Sequence, residues 1–243
     1  MTKICQLAEA YKLKVIEDAA QGVNAYYKGS ALGTLGDYGC YSFHETKNYS
    51  MGEGGAIVIK DQQEGMRAEI IREKGTNRSQ FFRGQIDKYT WVDKGSSYLP
   101  SEINAAYLYA QLKEASKIND SRLNIWKKYH LGLEGLEKSN KIIRPFIPKE
   151  CIHNGHMYYI RLANLQKRTK MLEYLKEHGV GAVFHYVPLH SSMYGRKCGE
   201  FVGEDKYTTS ESESLIRLPM YYGLKLQDVD YIVEVLHEGI KKI

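Results

Sequence analysis

The sequence predicts an α/β fold: a sheet-and-helix domain over residues 1–118, followed by a smaller α+β domain over residues 119–243. Three observations carry this. Short runs rich in β-branched residues, at 13–17, 39–43 and 56–59, have the length and composition of strands. Amphipathic stretches with a helical period separate them. A long helical stretch from about residue 101 then leads into a second alternation of short strands and helices, which reads as a separate domain.

Taken in order, residues 3–11 read as a short amphipathic helix with Ile4, Leu7, Ala8 and Tyr11 on one face. Residues 13–17 read as a buried parallel strand. Asp18 follows at its carboxyl end, where ligands sit in open α/β sheets. The runs at 39–43 and 56–59 are further strands, with Lys47 in the connection between them. Residues 65–74 read as a helix, and residues 75–99, polar and aromatic, as a long functional loop. The next helix starts near Ser101, with Ile103, Ala106, Tyr107 and Ala110 on one face, and breaks at Asn119-Asp120 before reaching about Leu136. In the second domain, residues 157–162 and 182–187 read as strands. Residues 169–178 read as a helix closed by Gly179, 210–215 as a short helix, and 228–240 as an amphipathic one.

Composition narrows the function. The chain has 243 residues, 43% hydrophobic and 26% charged, which is ordinary for a globular protein. The net charge of +5 comes from interleaved rather than massed basic residues, which argues against nucleic acid and suits a small anionic substrate. Cys5, Cys40, Cys151 and Cys198 are scattered, not paired as a disulfide framework, and point to a reducing, cytoplasmic setting. No apolar run has membrane-spanning length, so no membrane insertion is expected, and the first residues hold no signal-peptide core. Cys151, His153 and His156 lack a second close-spaced ligand pair, so no metal site is expected.

The chemistry lies in two segments. One is Glu17-Asp18-Ala19-Ala20-Gln21; the other is Ser42-Phe43-His44-Glu45-Thr46-Lys47-Asn48, followed by Gly52-Glu53-Gly54-Gly55. Together they supply a lysine able to hold pyridoxal 5′-phosphate (PLP) as a Schiff base and a carboxylate able to keep its pyridine nitrogen protonated. Ser42, at a strand end, can bind a phosphate oxygen. The glycines can equally be a strand-entry turn, and Asp18 a helix N-cap. Arg78 and Arg83 share a loop with Phe81, Phe82, Tyr89 and Trp91. Forked cations with aromatic faces suit a nucleotide diphosphate, although a solvated loop with an aromatic anchor has the same composition. His185, Tyr186 and His190 flank Pro188, and their strand alternation divides them between core and pocket.

The same two segments resemble the DegT/DnrJ/EryC1/StrS family of sugar aminotransferases, over essentially the whole chain. Residues 72–84, 88–91, 95–99, 184–186 and 203–209 resemble, within it, the branch acting on dTDP-4-keto-6-deoxy sugars in enterobacterial common antigen synthesis. The resemblance implies the aspartate-aminotransferase-like PLP fold (fold type I), as the later part of its large domain with its small domain. It implies Lys47 as the Schiff-base and proton-transfer residue, Asp18 at the pyridine nitrogen, Gln21 by the ring oxygen and Ser42 on the phosphate. Ser97 takes the place of an asparagine that many members supply across a homodimer. His185, Tyr186 and His190, with Arg78 and Arg83, would face the sugar nucleotide, and glutamate would donate the amino group. Family members carry about half as much chain again before the segment that opens here. The resemblance therefore implies an amino-terminally truncated member. Such a chain would bind PLP poorly alone, or serve as a remnant or non-catalytic subunit. The family's dehydratases carry histidine in place of the lysine, and Lys47 argues against that activity.

Overall fold

A computed structural model describes residues 1–243. The chain forms two compact units, one of Met1–Lys117 with Pro148–Asn154, the other of Ile118–Ile147 with Gly155–Ile243. Residues 148–154 thus fold with the first unit, although their position in the sequence placed them in the second.

In the first unit, α1 (Thr2–Ala10) precedes β1 (Ile16–Asp18), a small hairpin of β2 (Tyr26–Tyr27) and β3 (Ser30–Ala31), β4 (Tyr38–Ser42) and β5 (Gly55–Ile59). Then come α2 (Gln62–Arg72), α3 (Arg78–Phe82), α4 (Glu102–Lys113) and, from the returning segment, β6 (Cys151–Ile152). One sheet has the order β1-β4-β5, with β1 parallel and β5 antiparallel to β4; the other has the order β3-β2-β6, antiparallel throughout. Asp37 starts β4 against β1: its Oδ2 accepts from the Val15 amide at 2.8 Å, while its own amide donates to the Val15 carbonyl at 2.9 Å. Glu17 is buried because three amides claim its carboxylate, those of Gly33 at 3.0 Å, Leu35 at 2.5 Å and Gly36 at 2.7 Å. Gly39, opposite Glu17 on β4, is needed for a close approach: a Cβ there would fall 1.9 Å from the Gly33 carbonyl oxygen.

Several expectations change here. The strand at β1 is parallel but not buried, since only Glu17 is covered and Ile16 is 68% exposed. β4 is its single neighbour, so its other edge and alternate side chains face outward. In α1 only Ala8 is buried; Ile4, Leu7 and Tyr11 lie in the open. The predicted break at Asn119-Asp120 is absent. The helix instead breaks at Glu114, whose φ of −98° and ψ of 15° end α4. The loop at 75–99 contains one short helix, α3.

The second unit comprises α5 (Ala115–Gly132, entering from the first unit), α6 (Glu134–Lys138), β7 (Tyr158–Arg161), α7 (Leu165–Glu177), β8 (Val183–Phe184), α8 (Gly195–Cys198), α9 (Thr208–Ser214), β9 (Leu215–Leu218) and α10 (Leu226–Lys242). β9 lies at the centre of the sheet β7-β9-β8. Register places Tyr158 opposite Leu218 and Ile160 opposite Ile216, so the buried residues of both strands fall on one face. They pack with Ile125, Tyr129, Met171, Leu175, Val229 and Leu236 into one core. Sequence periodicity read the start of β9 as the end of a helix, and it extended β8 to residue 187. The Ser210–Ser214 turns are helical, but Leu215 already pairs with Arg161. Asn164 caps α7 earlier than expected, its Oδ1 accepting from the Lys167 amide at 2.9 Å, and the helix ends at His178 before Gly179.

Candidate active site

The site begins with register. β1 and β4 run parallel with Asp18 opposite Cys40, so Asp18 and Ser42 both end their strands at the same carboxyl edge of the sheet. β5 runs back from Gly55, which pairs with Ser42. The loop 43–54, carrying Lys47, therefore begins and ends at this edge. Parallel strands place helix and loop connections there, and ligands collect at such edges.

The loop is held from within. The Phe43 amide donates to the Gly54 carbonyl at 2.9 Å, the Met51 amide to the Phe43 carbonyl at 2.9 Å, and the Lys47 amide to the His44 carbonyl at 2.9 Å. His44 Nδ1 lies 2.9 Å from Thr46 Oγ1, and Ser42 Oγ accepts from the His44 amide at 3.3 Å. Gly52 has a φ of +80°, which a side chain would strain, so the turn back into β5 uses glycine for its backbone. The Lys47 side chain is half-buried and in no ion pair. Asp18 Oδ1 accepts from the Ala20 amide at 3.1 Å, while Oδ2 takes part in no hydrogen bond. Asp18, Ser42 and the loop bearing Lys47 thus lie at one sheet edge, and the lysine amine and one carboxylate oxygen are unengaged. Gln21 is exposed in the loop after Asp18, with its main-chain carbonyl tied to Asn154.

Other candidates lie elsewhere. Ser97 is bridged to Glu73 at the end of α2, and its neighbours bond there too: the Lys74 amide to the Ser96 carbonyl at 3.0 Å and the Tyr98 amide to the Arg72 carbonyl at 3.1 Å. Within this chain its hydrogen-bonded surroundings are α2, not the ends of β1 and β4. Arg78 lies 3.4 Å from Glu73, with its guanidinium 5.0 Å from the Phe82 ring centroid and 5.9 Å from that of Tyr89. Arg83 is forked onto Glu69.

His185, Tyr186 and His190 belong to the second unit. His185 lines a groove of about 320 Å³ with Arg168, Phe184, Ser191 and Ser212. Its Nδ1 is buried without a partner, and burial, helped by the Arg217 cation, pushes the imidazole below its ordinary value. Tyr186 is exposed, with the Arg217 guanidinium 5.7 Å from its ring centroid. His190 Nε2 lies 2.9 Å from Asp205 Oδ2, and its ring rests on Phe201 at 4.6 Å.

The sequence profile of the DegT/DnrJ/EryC1/StrS aminotransferase family matches residues 1–237. The chain belongs to this family. An uncharacterized protein of Methanocaldococcus jannaschii, MJ1066, is 33% identical over 255 residues, covering all of this chain and 63% of its own length. Among solved structures, DesV of S. venezuelae superposes with a TM-score of 0.83 at 25% identity, over 99% of this chain and 61% of DesV. The PLP form of a putative sugar aminotransferase of Streptococcus pneumoniae, Spr1654, gives 0.81 at 23%, over 97% and 60%. The aminotransferase TlmJ of Streptoalloteichus hindustanus gives 0.82 at 23%, over 98% and 61%. The fold is accordingly the mixed α/β fold of the sugar aminotransferases. This family member spans about three fifths of the length of the relatives it matches. No helix is long and apolar enough to cross a membrane.

Sequence reasoning missed Asn154. It is 5% exposed and hydrogen-bonded to the loops of both Asp18 and Lys47. A lone asparagine in a polar stretch carries no periodic signal, and nothing local marks it.

Proposed function

We propose that the assembly containing these residues is a PLP-dependent aminotransferase. It would move an amino group from glutamate to the 4-keto carbon of a dTDP-4-keto-6-deoxy sugar. The reading places it, as a homodimer in the cytoplasm, in the synthesis of a cell-surface polysaccharide such as enterobacterial common antigen. Family membership supports aminotransfer. The single observation that carries the cofactor reading is that Asp18, Ser42 and the loop bearing the unpaired Lys47 lie at one sheet edge.

The residues present fit PLP by chemistry. Lys47 offers a primary amine for covalent attachment to an aldehyde. Asp18 offers a carboxylate oxygen to a protonated ring nitrogen, Ser42 a hydroxyl to phosphate, and Gln21 an amide to the ring oxygen. When bound, PLP supplies an electron sink for the bond broken at the donor carbon. The Lys47 amine would take the proton from the donor Cα and later return one to the acceptor carbon. The net exchange turns glutamate into 2-oxoglutarate and the keto sugar into its 4-amino sugar. Arg78, on its aromatic seat, is the better placed of the two loop arginines for a diphosphate. Ser97 is assigned to a phosphate contact across the dimer, and His185, Tyr186 and His190 to the sugar.

Borohydride reduction of PLP-loaded protein, followed by peptide mapping, tests the cofactor reading. Pyridoxyl label on Lys47 is expected, and none after Lys47→Ala. Label confined to other lysines would refute it. For the substrate, dTDP-4-keto-6-deoxyglucose should be aminated in preference to simple α-keto acids, and the reverse preference would remove the sugar-nucleotide assignment.

A further inference from the structure

Lys47 and Asp18 are borne on neighbouring strands, but each sits in or beside a loop that no sheet ladder holds. β1 stops at Asp18 and β4 at Ser42. A cofactor that must meet an amine and a carboxylate at once needs those loops fixed relative to each other. The tie comes from a distant part of the chain. Asn154 Nδ2 donates to the carbonyls of Gln21 and Val23, both at 2.8 Å, and the Asn154 carbonyl accepts from Asn48 Nδ2 at 3.0 Å. One residue thus grips the loop after Asp18 with its side chain and the residue after Lys47 with its main chain.

The grip is itself anchored. β6 pairs with β2, Tyr26 opposite Ile152 and Tyr27 opposite Cys151, and the Lys28 amide donates to the Glu150 carbonyl at 2.8 Å. A second tie joins the same loops: Asn24 Nδ2 donates to the hydroxyl of the buried Tyr49 at 2.8 Å, and that hydroxyl donates to the Ala115 carbonyl at 3.2 Å. Both amide hydrogens of Asn154 meet carbonyl oxygens, so the position requires a short side chain with two donors. An aspartate of the same shape would set a carboxylate against those carbonyls.

We infer that Asn154 is a positioning residue that fixes the Asp18–Val23 loop and the Lys47–Asn48 loop as one rigid element of the site. This rests on the proposed roles of Lys47 and Asp18 and adds a residue that acts through the loops bearing them.

The test compares the full chain with Asn154→Asp and Asn48→Ala by amide hydrogen exchange and by borohydride trapping of PLP. Asn154→Asp strips both side-chain bonds to the Gln21 and Val23 carbonyls and should raise exchange about tenfold or more in residues 19–24, while residues 45–50, still held on the Asn154 main-chain carbonyl, change less. It should also slow the labelling of Lys47. Asn48→Ala removes only one arm, and should loosen residues 45–50 while residues 19–24 keep their protection. Strands β7 and β9 serve as the internal reference. The inference is overturned if residues 19–24 keep wild-type exchange in Asn154→Asp, if residues 45–50 keep it in Asn48→Ala, or if exchange rises equally in β7 and β9, which would mark a general loss of stability. Failure of the wild-type chain to label at Lys47 would instead strike the cofactor reading, and the exchange comparison would still decide the tie.

Discussion

Arg83 lays both ends of its guanidinium on Glu69, Nη1 to Oε1 at 3.0 Å and Nη2 to Oε2 at 2.7 Å. The hydrogen bonds from Arg83 hold the Glu69 carboxyl below the usual carboxylate range and raise the guanidinium in turn. A diphosphate binding at this loop, as proposed, would have to displace a carboxylate from Arg83. At Arg78 it meets a single, longer contact to Glu73.

Arg78→Ala is therefore expected to weaken dTDP binding roughly tenfold, in line with the loss of one charged hydrogen bond. Arg83→Ala should cost roughly threefold or less, since removing the arginine also releases the competition from Glu69. Titration calorimetry of the two variants with dTDP distinguishes them. Equal losses would show that Arg83 leaves Glu69 to take the ligand, and no loss in either would remove the loop from substrate recognition.

Asp18→Asn keeps the shape of the side chain and its bond to the Ala20 amide, but removes the charge that holds a ring nitrogen protonated. PLP affinity should fall roughly ten- to a hundredfold, and turnover more steeply, because the electron sink weakens with the ring charge. Equilibrium dialysis gives the first and a coupled 2-oxoglutarate assay the second. Unchanged affinity and turnover would leave Asp18 as a loop cap only.

In the second unit, Asp205 accepts from the Thr209 amide and hydroxyl, the latter at 2.6 Å, and lies against His190. The Thr209 hydroxyl is the foremost reason that its pKa is lowered from the ordinary 3.8. A depressed carboxyl adds stability that is present above its unfolded value and lost as pH falls through the folded one. The difference in urea midpoint between wild type and Asp205→Asn should thus be present at neutral pH and shrink in the acid limb below about pH 4. Parallel curves down to pH 2 would contradict this.

Tyr129 is fully buried, and its hydroxyl donates to the Pro219 carbonyl at 3.0 Å while its ring stacks on Tyr158 at 5.1 Å. Burial pushes both phenols well above their ordinary 10.0. Stability tied to a raised pKa is fully present below the unfolded value and lost as pH climbs through the folded one. The second unit should therefore unfold in alkali above about pH 10. Tyr129→Phe should cost about 1–3 kcal/mol at neutral pH by orphaning the Pro219 carbonyl, and should blunt the alkaline transition. Circular dichroism melts across pH read both effects.

The parts legible in the sequence were those whose chemistry is local. Asp18 could be placed because an apolar β-branched run must end near it, and Lys47 because serine, lysine and glycines share one loop. The long apolar stripe of α10 was readable for the same reason: Val229, Ile232 and Leu236 recur at a helical period and are buried. β2, β3 and β6, two residues each, have too few positions for any period. β9 was hidden because Leu215–Leu218 follows a helix without a break, and only pairing with Tyr158–Arg161 makes it a strand. The exposed face of α1 reads as core from periodicity alone, since amphipathicity shows that a face is apolar but not what covers it. Arg83 and Asn154 depended on partners far along the chain, Glu69 by 14 residues and Gln21 by 133.

The pairing of β6 with β2 has a consequence for the order of events in synthesis. Residues 1–117 are synthesised before 148–154, so the loops bearing Asp18 and Lys47 are made early and have only the Asn24–Tyr49 tie between them until Asn154 is added. Closing that clasp joins positions 131 and 133 residues apart, a large loop whose ordering entropy is met only once the intervening helices have condensed. A cut at any single peptide bond between 117 and 148 would put β2 and β6 on separate polypeptides. The first unit is therefore completed by its last-made residues, and a nascent chain paused before Pro148 carries every assigned cofactor residue with one of the two ties between their loops still missing.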